Sequence, residues 1–324
     1  MRRFFVLVLL AAILAAVAAT AFAAPQSVML ELKGEPGAES KYETTLSAKM
    51  DLRVQDPGSG ASILAISPRF AGTATTIERI IDVADNGDLT SGTQIESFDF
   101  EIDVADLHAR LAIQGPNGAP PQLIKLPPLP IHAVTTKRGK VVSIEGLDKL
   151  AIPLPIPGAE GKKLNLGHHI NGILKQFSQP LYPDEPVAVG DSWDWDMVID
   201  AETMKGFMIL PMPPEAMEQF KSFRIPIHST TTLVGFESVN GVECAKLEAV
   251  SPMEFSMPMP QGPGTDAVGT MRETVNTKVV TWFDYAAGRK AKEQTDVTVT
   301  MRVTVGSAEV AAFDLNVSGE THLK

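Results

Sequence analysis

From residue 42 to residue 54 the chain alternates strictly. Tyr42, Thr44, Leu46, Ala48, Met50, Leu52 and Val54 occupy one phase, and Glu43, Thr45, Ser47, Lys49, Asp51 and Arg53 the other. Successive strand side chains point to opposite faces, so this pattern predicts a strand with one wet face and one buried face. At about 3.4 Å per residue it reaches roughly 45 Å, longer than most strands, which implies a bent or strongly curved sheet. The same period recurs at Val297, Val299, Met301, Val303 and Val305, and at Trp193, Trp195, Met197 and Ile199 against Asp194, Asp196 and Asp200. Near Ile95–Phe98 the apolar phase slips from odd to even positions, the mark of a β-bulge.

Turn signals separate these runs. Asn86-Gly87 and Asn240-Gly241 predict tight type I′ hairpins, and Gly139 and Gly288 occupy comparable turns. Tyr42 and Trp193 are 151 residues apart, the two Asn-Gly turns 154, and the two later glycine turns 149. Three such similar offsets predict a duplicated β unit, joined where Pro180, Pro183 and Pro186 interrupt regular structure. Helix signals are few. Ile170, Ile173, Leu174 and Phe177 form one stripe, Met217, Phe220 and Phe223 another after Pro214, and 146–150 suggest a single turn. The expected fold is mainly β: two tandem, duplicated, curved antiparallel sheet units, 24–182 and 183–324, with a few short covering helices.

The first 23 residues read as a secretory signal peptide: Arg2-Arg3, an apolar run, then Ala21-Phe22-Ala23. Cleavage near Ala23 removes two arginines and no acid, taking the net charge from −11 to −13. That sign argues against nucleic acid and anionic membrane surfaces as partners. No cysteine lies at the cleavage site, so a lipoprotein is excluded, and no later apolar run spans a membrane. The expected location is the periplasm or the exterior. Cys244 is the only cysteine, so no intrachain disulfide forms, and it reads as a small buried hydrophobe.

The segment Pro183-Asp184-Glu185-Pro186-Val187-Ala188-Val189-Gly190-Asp191-Ser192-Trp193, with Phe283-Asp284-Tyr285-Ala286-Ala287-Gly288 later, resembles an exported bacterial family of unknown function. In that family a Pro-Val-x-Val-Gly-Asp-x-Trp stretch leads into a strand. The resemblance implies export and a β-rich body, and supplies no catalytic residue.

Motifs for chemistry are sparse. None of the six histidines forms an HExxH pair, and the adjacent His168 and His169 read as polar positions opening a helix. Asp194 and Asp196 share one face of an extended strand about 7 Å apart, too open for calcium, and read as a solvated face. Trp193 and Trp195, on the other face, read as core anchors. No nucleophile elbow, P-loop or dinucleotide fingerprint occurs, so no cofactor, no metal and no catalytic residue is assigned.

The methionines are the unusual feature. Of 13 in the chain, 10 fall between Met197 and Met301, and seven of these crowd two proline-rich stretches around 204–217 and 251–260. A third apolar, proline-rich stretch, 119–131, has none. Read as loops that cannot pair as strands, these segments would cover or rim a concave sheet. The expectation is a non-catalytic exported protein holding an apolar, lipid-like ligand, with Leu123, Leu126, Leu129, Met208, Met212, Met257 and Met259 as contacts. The alternative is a structural or protein-interaction module of the cell envelope. A cavity of roughly 300 Å³ or more separates the first reading from the second, which requires a filled interior.

Overall fold

The computed structural model describes residues 27–56, 58–104, 107–113, 131–146, 151–153, 163–165, 180–200, 224–259 and 269–324. Its strands in the first part are β1 (Ser27–Val28), β2 (Glu39–Gln55), β3 (Ser62–Ile66), β4 (Arg69–Val83), β5 (Leu89–Val104), β6 (Leu107–Ile113), β7 (Ile131–Thr135), β8 (Val141–Glu145), β9 (Ala151–Pro153) and β10 (Lys163–Asn165). There follow β11 (Val187–Ala188), β12 (Ser192–Asp200), β13 (Arg224–Val239), β14 (Val242–Met259), β15 (Gly269–Asp284), β16 (Arg289–Val305) and β17 (Ala308–Leu323). The mainly β, antiparallel expectation holds. The helices expected at 167–177 and 214–223 lie outside the described residues, as do 147–150.

Thirteen strands form one sheet, in the order β12-β13-β14-β15-β16-β17-β2-β4-β5-β7-β8, with β3 beside β2 and β6 beside β5. Every pairing is antiparallel, and β17 joins β2 from Ala311–Val54 to Leu323–Tyr42, so strands from both halves of the chain share one hydrogen-bonded surface. The sheet is not closed into a barrel.

Register fixes which residues share a face. Val275, Val299, Leu315 and Met50 follow one another across β15, β16, β17 and β2. One row on, Val317, Ala48 and Phe70 align across β17, β2 and β4. The apolar phase therefore lies on a single face over the width of the sheet, and the polar phase (Lys49, Asp51, Arg53) on the other. The phase slip at Ile95–Phe98 is a bulge: Ser97 opposes Thr75 and Ile95 opposes Thr76, leaving Glu96 extra.

Two sequence expectations need correction. Asn86-Gly87 does not form a two-residue type I′ turn. The loop runs from Ala84 to Asp88, with Gly87 N donating to Ala84 O at 2.8 Å and Ala84 N to Asp88 O at 2.9 Å. Asn86 keeps negative φ and Gly87 alone takes +84°, which is a type I turn followed by a left-handed residue. At the second pair both residues are left-handed, Asn240 at 53° and Gly241 at 83°, as type I′ requires. The second correction concerns 251–259, read as a loop unable to pair. It is the far half of β14 and pairs with β15 from Ser251–Thr277 to Met259–Gly269. Pairing with β13 ends at Val250, so this half has one unpaired side. Pro252 and Pro258 both occupy even positions, whose backbone groups point the same way; lacking N–H, they fit the unpaired side.

The main core lies at one end of the sheet. Val28, Leu30, Val187, Leu233, Ala245, Leu247 and Phe283 are buried together, with Leu32, Tyr182, Trp193, Phe236 and Tyr285 packed against them. The N-terminal segment crosses this end: β1 pairs with β11, Leu32 N donates to Lys137 O (2.7 Å) and Lys33 N to Gly288 O (3.0 Å). A second cluster, Cys244, Trp282 and Ala291, lies nearby with Val239 and Val280 against it. There Trp282 Nε1 donates to Glu237 Oε2 at 2.7 Å, and Lys246 and Lys292 lie over its ring.

Candidate functional site

Beside the main core is a cavity of about 770 Å³. Its wall is built from strands across the whole width of the sheet: Trp193 and Trp195 from β12, Ser229 and Thr231 from β13, Leu247 and Ala249 from β14, and Val279 and Thr281 from β15. It continues through Glu293 and Thr295 of β16, Ser40 and Tyr42 of β2, Glu78 and Ile80 of β4, Leu89 and Ser91 of β5, and Val141 of β8. Both edge strands, β12 and β8, therefore border the same space although they do not pair.

Residues 180–184 bridge the two edges. Leu181 N and Tyr182 N both donate to Arg138 O, in the turn between β7 and β8 (2.8 and 3.1 Å). The Arg138 guanidinium donates to the carbonyl oxygens of Pro183 and, at 2.6 Å, Asp184. On the other edge Trp193 Nε1 donates to Leu181 O at 2.9 Å. Leu32, Lys33 and Gly34 of the crossing segment complete the wall.

The lining is mainly apolar, with hydroxyls such as Ser229, Thr231 and Thr281 between the apolar side chains and a charged group around Arg289. Arg289, the first residue of β16, donates through Nη1 to Ser40 Oγ at 3.3 Å. Burial, and then the charge of Glu78, push the Tyr42 hydroxyl up to about 12, so it stays protonated and able to donate. Burial likewise raises Tyr182, whose ring packs 5.0 Å from that of Phe283. Lys290 Nζ pairs with Glu293 at 3.1 Å, and Lys33 Nζ donates to Tyr285 O at 3.2 Å. This arrangement can seat an elongated apolar body and give one end of it directional polar contacts.

Of the sequence-predicted contacts, the described structure places two. Leu123, Leu126, Leu129, Met208 and Met212 lie outside the described residues. Met257 opposes Met271 on the apolar face, eight residues beyond Ala249 along β14, or about 27 Å from the cavity wall. Met259 ends the strand opposite Gly269. Trp193 and Trp195, read as core anchors, line the cavity, and Trp193 also packs on the core. Ser40, Glu78, Arg289 and Glu293 were missed. A signal existed: Glu78 shares the phase of Phe70 and Ile80, and Glu293 that of Val297 and Val299, so each carboxylate interrupts an inward row.

Other candidates behave as surface or packing groups. Asp194 and Asp196 are exposed on the polar face, with His228 at 3.5 and 2.8 Å. The Asp196 hydrogen bond, with both carboxylates, raises the His228 pKa. Among the described residues no cluster of three or more His, Cys, Asp or Glu could hold a metal ion. Cys244 is buried, in agreement with its reading as a small hydrophobe.

No protein-family model matches the chain, and no curated protein matches it. Among solved structures, one on lipid–protein interactions in lipovitellin is similar at 10% identity with a TM-score of 0.40, covering 90% of this chain. The chain spans only 25% of that lipovitellin chain. Pseudomonas aeruginosa OpdQ is similar at 7% identity and TM-score 0.26, covering 88% of this chain and 98% of its own. OccK5 (OpdH) of the same organism is similar at 8% and 0.26 over the same shares. Among the described residues no helix is long and apolar enough to cross a membrane.

Proposed function

We propose that this protein is a non-catalytic exported carrier that holds an apolar, lipid-like molecule in the concavity of its sheet. The observation that carries this reading is the cavity of about 770 Å³, bordered by both edge strands and continuous with the apolar face. It lies within the roughly 300–1,000 Å³ typical of small-molecule sites. A structural or interaction module has no need of such a void. Export to the periplasm or exterior rests on the signal-peptide pattern of the first 23 residues. The duplication is supported by strand order, since β2, β4, β5, β7 and β8 follow the same antiparallel succession as β12 to β16.

The test is direct. Lipids extracted from the purified protein are identified by mass spectrometry, and a hydrophobic fluorophore is titrated into delipidated protein. The reading requires saturable micromolar binding of the fluorophore, displaced by the extracted lipid. Absence of both co-purified lipid and fluorophore binding would sink it. The alternative, an envelope interaction module, draws on the outer part of the sheet, where Leu46 at 40% and Leu64 at 41% remain exposed. It predicts capture of an envelope protein whose binding is unaffected by filling the cavity.

A further inference from the structure

Of the cavity's cations, Lys33 and Arg289 have no carboxylate partner among the described residues, and of these two Arg289 has a nitrogen that is both shielded and unpaired. Its Nε is shielded from solvent and has no hydrogen-bond partner, and Ser40 Oγ is the acceptor of its Nη1. No carboxylate among the described residues lies within 4 Å of its guanidinium, whereas Lys290 is paired with Glu293 and Lys33 sits on the Tyr285 carbonyl. The lining carries three cations, Lys33, Arg289 and Lys290, against two carboxylates, Glu78 and Glu293. That excess of one positive charge stands inside a chain of net charge −11. A shielded guanidinium nitrogen without an acceptor is costly unless something completes it. A guanidinium is also the side chain best shaped to take two oxygens of a carboxylate or phosphate.

We infer that the ligand is an anionic amphiphile whose carboxylate or phosphate head is bound by Arg289, with its acyl chain along the apolar wall. This inference rests on the carrier reading and deepens it. Ser40 Oγ accepts from the guanidinium and is hydrogen-bonded to the Tyr42 hydroxyl, which adds a polar group at the same end of the cavity. Glu78, opposite Ser40 in the β2–β4 register, repels additional negative charge and favours a singly charged head over a polyanion.

The test compares hexadecanoate, hexadecyl phosphate, hexadecanol and hexadecylamine, each competing with the same bound fluorophore on the whole protein. The anionic probes should bind at least about tenfold tighter than hexadecanol, as a charge-assisted contact predicts, and hexadecylamine weakest. In Arg289→Gln the advantage of the anionic probes over hexadecanol should vanish. Equal binding of acid and alcohol by the wild type, or an acid preference that persists in Arg289→Gln, overturns the inference but leaves the carrier reading standing. Binding of none of the four, with no fluorophore bound, removes both. Hexadecanoate over hexadecyl phosphate assigns a fatty-acid head, and the reverse order a phosphate head. Should Arg289→Gln not fold, as judged by its thermal transition, the wild-type order of the four probes decides alone.

Discussion

Arg138, in the turn between β7 and β8, donates to the carbonyl oxygen of Pro183, 45 residues further along the chain. Through that contact the last strand of the sheet order holds the segment that leads into its first. The Arg138 side chain is 11% exposed and also reaches Asp184. Hydrogen bonds from a charged donor contribute about 1.5–3 kcal/mol each. Arg138→Ala should therefore lower stability by about 2 kcal/mol in urea titration, with unchanged slope. Amide exchange should accelerate first in 180–193, because that segment loses its hold on one edge.

A second strap is backbone-made. Gly288 sits at φ +68°, and a Cβ there would lie 2.5 Å from Lys33 N and 2.6 Å from Glu31 O. Both neighbours are main chain and cannot rotate away. Gly288→Ala combines a left-handed non-glycine residue with that clash. It should cost at least about 2 kcal/mol, read as a lower urea midpoint. The equivalent change at Gly190, also at positive φ but with nothing within 4 Å, should cost less because only the conformational penalty applies.

The sheet was legible from sequence because strand periodicity is a local property. Tyr42 to Val54 announces its own two faces, and the slip at Ile95–Phe98 announces its own bulge. Turn type was less so, since Asn86-Gly87 and Asn240-Gly241 are the same dipeptide and differ in how many residues the flanking ladders leave unpaired. The prolines of 251–259 misled for a related reason. Proline forbids a strand only where its missing N–H is needed, and one side of β14 is unpaired there. A concavity was expected from the bowed sheet, but its lining was not legible. It arises where residues as distant as Ser40 and Arg289 meet, and only pairing order brings them together.

Glu273 belongs to the apolar face, opposite Phe255 and Met301 on the adjoining strands. Burial raises its pKa above the ordinary value of 4.5. In the interval between the unfolded and the folded value the native state holds the extra proton, so stability falls as pH rises through that window. Below it both states are protonated and the carboxyl behaves as a neutral group. Glu273→Gln should accordingly match the wild type in strongly acidic buffer and exceed its melting temperature at neutral pH. A variant less stable than the wild type at neutral pH would contradict this.

Cys244 offers a probe of the core that needs no substitution. It is fully buried, and burial pushes its thiol up to about 11. At pH 8 only about one molecule in a thousand then carries the thiolate, the reactive form. A maleimide should leave the native protein unlabelled over minutes and modify it stoichiometrically in urea. Labelling measured against urea concentration should superimpose on the unfolding curve, because the cluster of Cys244, Trp282 and Ala291 has to open first.

Ala249 separates the fold from its proposed use. It lies on β14 in the cavity wall, between Thr231 of β13 and Val279 of β15 in register. A larger side chain there enters empty space rather than packed atoms, so the usual cost of overpacking does not arise. Ala249→Phe should stay within about 1 kcal/mol of the wild type, or gain slightly by filling the void. The same ring occupies volume that an acyl chain would need, so fluorophore and lipid affinity should fall by an order of magnitude or more. Intact binding in a folded Ala249→Phe would move the ligand out of the cavity and onto the open apolar face around Met257 and Met271. Loss of binding together with loss of folding would be read against Ala249→Ser, which leaves the space free and should bind as the wild type does.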